Sequence, residues 1–197
     1  MALLDAHYPL SGEPFLTHEM PWQLLVATIL SARCTDDRVN ATTPALFAKY
    51  PSPQALAGAD FDELCRDIRS TGFYRAKAKS IIGSMIMLLA HGDIPRDINV
   101  LTAFPGVGRK TANLVLGHVY NIPGIVVDTH VMRVSARLGL SAAKDPVKIE
   151  RDLAAILPKD HWIRFNTQII THGRAVCTAR GPRCGECALS ACCDQRL

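Results

Sequence analysis

Apolar residues recur at spacings of three and four from one end of the chain to the other, and no stretch alternates convincingly between apolar and polar positions. A helix returns its side chains to one face at that period and a strand at every second residue, so the pattern predicts an all-α protein. Helix starts are well marked. Asp60 and Glu63 fit a capping box before LCRDIRS, the aspartate accepting a free backbone N–H while the glutamate reaches back. Asp145 and Pro146 place a cap and a first-turn proline before VKIERDLAAIL. Stops are expected at Gly72, at His91 and Gly92, and at Pro123 and Gly124. Pro44, inside DDRVNATTPALFAKY, is expected to kink or restart its helix. Roughly ten helices joined by short loops follow from this reading, with no low-complexity linker and no repeat.

Size and composition narrow the picture. A chain of 197 residues buries a core without needing covalent staples. The longest apolar runs, WQLLVATILSA and IIGSMIMLLA, fall short of the roughly 18 residues of a membrane span and read as buried helices. Seven cysteines, an odd number bunched towards one end, and no secretory signal before the first helix-like run predict a reducing cytoplasm rather than a disulfide framework. A net charge of +4 permits a nucleic-acid partner without requiring one. Its distribution is more informative: Arg69, Arg75, Lys77 and Lys79 fall in one acid-free stretch, and Arg164, Arg174, Arg180 and Arg183 in another. Each cluster also reads as an ordinary solvated helix face.

The stretch LTAFPGVGRKTANLVLGHVY carries the first candidate chemistry. A short helix is expected to end at Phe104, PGVG to make a tight turn, and a new helix to begin at about Arg109 with Val115, Leu116 and Val119 facing the core. Gly106 and Gly108 permit positive backbone angles and leave amides uncovered, and the helix aims its positive end at the same place. That is a phosphate-sized anion site, or else a plain connection between packed helices. Arg109 and Lys110 favour the anion site. Lys110 is either a phosphate cation or a partly buried amine nucleophile, primed by the positive charge beside it. Eighteen residues on, IVVDTHVMRV delivers Asp128 to another helix start. The residue reads first as an N-cap. The same carboxylate can stabilise a developing sugar cation or order a water or amine, so Lys110 and Asp128 form a plausible pair for attack at a sugar carbon.

The chain closes on CTARGPRCGECALSACC. Cys177, Cys184, Cys187 and Cys193 are separated by six, two and five residues, one close pair flanked by single cysteines. A zinc ribbon has two close pairs, which makes zinc the less favoured occupant of four thiolates. Cys192 is the spare neighbour, and Cys34 and Cys65 read as core or half-buried thiols. Arg180 and Arg183 lie between the first two of the four, where a fastened segment becomes a basic loop able to grip phosphates, or else a solvated one. His172 is placed to buttress this loop or cap a helix.

Together FPGVGRKTANLVLG, VDTHVMRV and HGRAVCTARGPRCGECALSACC resemble endonuclease III, a DNA glycosylase and abasic-site lyase family of the helix-hairpin-helix superfamily, from ILSARCTDDRVN to Cys193. The resemblance implies a two-lobed fold: a six-helix barrel over residues 14–124, and a cluster lobe of residues 1–13 with 125–197, DNA lying across the cleft between them. It implies Lys110 as Schiff-base lysine, Asp128 as essential aspartate, DNA contacts at Gly106, Gly108 and Arg109, and a 4Fe-4S cluster on Cys177, Cys184, Cys187 and Cys193. The substrates implied are oxidised or ring-broken pyrimidines and abasic sites in double-stranded DNA, extruded from the stack before attack. A monomer is expected, cytoplasmic and nucleoid-associated in a bacterium, with no membrane partner.

This sequence departs from the family at three positions. SARCTD supplies Arg33 where the family commonly inserts glutamine into the hole left by the flipped base; arginine fills such a hole or lies on phosphate. On the opposite wall of the cleft, TGFYRAKA puts Phe73 where a smaller aliphatic wedge is usual; Phe73 intercalates or belongs to the core. Thr102 stands where many relatives carry an acid. Two rivals remain. An adenine-removing glycosylase generally lacks the hairpin lysine and has a further C-terminal domain, which a chain carrying Lys110 and ending at Leu197 is expected not to match. A noncatalytic helix-hairpin-helix protein would use Lys110 as a clamp and Asp128 as a cap.

Overall fold

The computed structural model describes residues 1–9 and 15–194. Its eleven α-helices among the described residues are α1 (Ala2–His7), α2 (Pro21–Leu30), α3 (Asp36–Lys49), α4 (Pro53–Ala57), α5 (Phe61–Asp67), α6 (Tyr74–His91), α7 (Ile98–Leu101), α8 (Arg109–Tyr120), α9 (Thr129–Arg137), α10 (Pro146–Ile156) and α11 (Trp162–Ala175). Short 3₁₀ turns supplement them, and no strand occurs among the described residues. No helix of the described residues is long and apolar enough to cross a membrane.

The chain packs as two compact units, residues 15–115 and residues 1–14 with 116–197. The boundary expected between residues 13 and 14 lies outside the described residues. The sequence set the second boundary between 124 and 125, whereas the packing divides within α8, where Leu116 is buried and Gly117 faces Ile163 of α11.

In the contiguous unit α2 is the central element, buried from Trp22 to Leu30, and α3 and α6 pack against it. Pro44 does not restart α3, because Val39, Thr43 and Leu46 bury one continuous face on both sides of it and hold the helix together despite the missing amide. Asp60 caps α5 through Glu63 N–H at 2.8 Å. Glu63 pairs with Lys49 at 2.9 Å, which gives its carboxylate a partner other than the α5 backbone. The other unit gathers Leu4, Ile125, Val131, Val134, Ile149, Leu153, Phe165, Ile169 and Leu189 into one core, with α11 against α9 and α1. Asp145 caps α10 through Lys148 N–H at 3.0 Å, with Pro146 in the first turn.

Candidate active site and cysteine loop

The helix before the hairpin is shorter than expected: α7 ends at Leu101, and turn hydrogen bonds from Phe104 N–H to Leu101 O and from Val107 N–H to Phe104 O carry the chain on. Thr102 is spent on that end, donating to Asn99 O at 3.1 Å. Only Gly106 of the two hairpin glycines uses a left-handed backbone, at φ +76°, and a Cβ there would meet the Ser80 side chain at 2.7 Å. Gly108 is set in open space and owes its place to neither constraint. The hairpin is further held by Ser84, whose hydroxyl donates to Pro105 O at 2.7 Å. From this support α8 begins at Arg109, with Ala112, Val115 and Leu116 all buried. Val119 is half-buried. Arg109 and Lys110 are both exposed, so Lys110 is not the partly buried amine expected from the sequence. Its amine has no hydrogen-bond or ion-pair partner among the described residues and is open to a ligand.

Asp128 belongs to the other unit. Its Oδ1 accepts from both His130 N–H and Val131 N–H at 2.8 Å, the N-cap read from the sequence. Oδ2 accepts no hydrogen bond among the described residues, so the cap uses one oxygen and leaves the other unengaged.

Arg33 and Phe73 both fall in the contiguous unit and touch each other. The guanidinium carbon of Arg33 stands 5.5 Å from the centroid of the Phe73 ring. Neither is a core residue: Phe73 is 62% exposed, which overturns its reading as packing, and the pair forms one projection instead of two opposed walls. Both adopt left-handed backbone, φ 54° and 48°, an unusual conformation for side chains of this size.

The cysteine tail organises around one pocket. Cys177, Cys184, Cys187 and Cys193 line one small pocket together with Arg137, His172, Val176 and Pro182. Cys192 is exposed, donates its thiol to Leu189 O, and lines a separate apolar pocket beside Leu140 and Leu157. No group of three His, Cys, Asp or Glu side chains among the described residues converges closely enough to hold a single metal ion. The four thiols share one pocket without converging on a point. His172 is buried, its Nε2 3.7 Å from Cys187 Sγ and its Nδ1 2.8 Å from the Tyr8 hydroxyl. Burial lowers the pKa of the imidazole and raises that of the Cys187 thiol.

Two arginines that the sequence reading passed over tie the loop down. Arg137 donates to Thr178 O at 2.7 Å, to Ala179 O at 3.2 Å and to Cys177 Sγ at 3.3 Å. Arg133 donates to Cys177 O at 3.1 Å and Gly173 O at 2.9 Å. Their four-residue spacing on α9 places both on one helix face, the signal that could have found them. Arg183, a candidate DNA contact, is exposed, donates to Ala175 O and pairs with Glu186 at 3.4 Å within the loop. Arg180 is exposed; its carbonyl accepts from the Thr178 hydroxyl at 3.0 Å, and its guanidinium has no partner among the described residues. Cys65 is buried and Cys34 half-buried, as expected.

A projecting aromatic, a backbone-lined hairpin with an open lysine, and a basic loop pinned beside four thiols are the parts a DNA-processing protein needs, and comparison with known proteins agrees. The model for "HhH-GPD superfamily base excision DNA repair protein" matches residues 26–159. Endonuclease III of Synechocystis sp. is 53% identical over 181 residues, covering 90% of this chain and 83% of the relative. That of Bacillus subtilis is 45% identical over 183 residues, covering 91% and 84%. A solved structure of a trapped endonuclease III–DNA covalent intermediate, an estranged-adenine complex, superposes with a TM-score of 0.91 at 41% identity, covering 98% of this chain and 91% of its own. From identity sustained over both units, the chain belongs to the endonuclease III family of the HhH-GPD superfamily.

Proposed function

We propose that the protein is a DNA glycosylase and abasic-site lyase of base excision repair, acting on oxidised pyrimidines in double-stranded DNA. The observation that carries the reading is Lys110, an unpartnered exposed amine in the first turn of the helix that follows the hairpin. A phosphate clamp would need only the charge. The endonuclease III relative caught as a covalent intermediate with DNA supports an amine that forms bonds.

In the proposed reaction the damaged nucleotide leaves the stack, because its anomeric carbon is out of reach within it. The Lys110 lone pair attacks that carbon, the glycosidic bond breaks, and the base departs with the bonding pair. The free oxygen of Asp128 stabilises positive charge on the sugar as that bond stretches. Loss of the amine proton and ring opening give an imine, which acidifies the adjacent C2′ proton. Its removal expels the 3′ phosphate by β-elimination, and water releases the lysine. Gly106, Gly108 and Arg109 hold the phosphate backbone, where exposed amides and a helix start provide sequence-independent contacts. The Arg33–Phe73 projection enters the gap left by the extruded nucleotide. Borohydride treatment of protein mixed with duplex bearing an oxidised pyrimidine tests the reading: a covalent complex supports it, and DNA binding without trapping on any lesion overturns it. The protein is read as a cytoplasmic monomer, nucleoid-associated in a bacterium.

Cys177, Cys184, Cys187 and Cys193 would hold a 4Fe-4S cluster, which when bound fastens both ends of the loop. Arg133 and Arg137 then fix the loop carbonyls, and Arg180 is presented to DNA. Brown protein with iron and sulfide in equal amounts is expected, and Cys193→Ser is expected to lose most of that iron while Cys192→Ser keeps it. Equal loss in both, or colourless protein with one zinc, would overturn the assignment.

The two loop arginines should separate by assay. Arg180→Ala is expected to flatten the salt dependence of DNA affinity by a slope of roughly 1, with stability within about 0.5 kcal/mol of wild type. Arg183→Ala should lower the melting temperature, through the lost contact to Ala175 O, and leave that slope nearly unchanged. The reverse pattern would return Arg183 to the interface.

A further inference from the structure

Lys77 lies in the acid-free run that reads as a solvated basic face, yet it is 5% exposed. Its ammonium donates to Leu30 O at 2.7 Å and to Thr71 O at 2.8 Å. Leu30 is the last residue of α2, and Thr71 the last of the 3₁₀ turn Arg69–Thr71. Arg33 lies three residues past the first anchor, inside the tight turn closed by Cys34 N–H to Ser31 O, and Phe73 follows the second after Gly72 alone. The backbone amide of Lys77 also donates to Phe73 O at 3.0 Å. One side chain therefore ties together the roots of both members of the stacked pair.

No carboxylate meets this ammonium among the described residues, and burial lowers its pKa. Burying an ammonium on carbonyl dipoles alone is a costly way to fill space that methionine would occupy. Geometry is what the lysine supplies and methionine would not. Holding two left-handed residues against each other removes freedom that a loose pair would lose at every encounter with DNA. We infer that Lys77 is a positioning residue that fixes Arg33 and Phe73 as one rigid projection, and so governs how well the protein opens the duplex and holds the base left opposite the lesion. The inference rests on the proposed glycosylase and lyase reading.

A double-mutant cycle between Lys77 and Phe73 tests it, read as the single-turnover rate of borohydride trapping on a duplex abasic site. Lys77→Met is expected to slow trapping about tenfold in the wild-type background and less than about twofold once Phe73 is alanine, the coupling expected of residues acting through one element. Lys77→Gln, whose amide retains two N–H donors, is run in the same cycle in case the methionine variant does not fold. With 2-aminopurine opposite the abasic site, saturating wild type should raise the fluorescence of the estranged base and the Lys77 variants should raise it less. Equal factors in the two backgrounds, or a full fluorescence rise in the variants, would overturn the positioning role. Absence of trapping by wild type itself would overturn the proposed function beneath it.

Discussion

Replacing Lys110 with alanine is expected to abolish the borohydride-trapped complex and to lower strand cleavage at abasic sites by at least about 10³-fold, the scale on which removal of a covalent nucleophile is felt. Fold damage cannot produce that loss. Lys110 is exposed in the first turn of α8 and has no partner among the described residues, and alanine is a good helix former. Such a change stays within about 0.5 kcal/mol of wild-type stability. DNA affinity should fall only by the share of one phosphate-proximal cation. A variant that still traps at the wild-type rate would move the nucleophile to another amine. A variant that binds tenfold more weakly but cleaves normally once saturated would make Lys110 a clamp.

Asp128→Asn is expected to depress base removal by about 10²-fold or more while the protein melts as wild type. Asparagine caps helices as well as aspartate does, so the hydrogen bonds from His130 and Val131 survive the change. What disappears is the charge on the oxygen that the cap leaves unused. Asp128→Ala should add a loss of about 1 kcal/mol from the missing cap, and the difference between the variants separates the two duties of one side chain. Lower stability in the asparagine variant, with normal turnover per folded molecule, would reduce Asp128 to a cap.

Much of this arrangement is legible in the chain because local rules wrote it. Apolar spacing yields the helices, and Asp60, Asp128 and Asp145 announce their starts. Failures begin where a residue's duty depends on partners distant in sequence. Lys77 looks like any basic helix residue until Leu30, 47 positions away, is brought to it. Phe73 reads equally as core or projection, since the left-handed turn that pushes it outward involves a residue type that rarely takes one. The bonds of Arg183 to Ala175 O and of Arg137 to Thr178 O were not legible either, because only tertiary structure says which carbonyls are within reach.

The discontinuous unit also sets a schedule for biosynthesis. Residues 15–115 form a body whose partners emerge consecutively from the ribosome and can close on one another early. The remaining unit needs both chain ends: Tyr8 waits for His172, 164 positions later, and His172 for Cys187. Residues 1–9 therefore stay undocked for most of translation, and the four thiols share their pocket only once the last of them, Cys193, has left the ribosome.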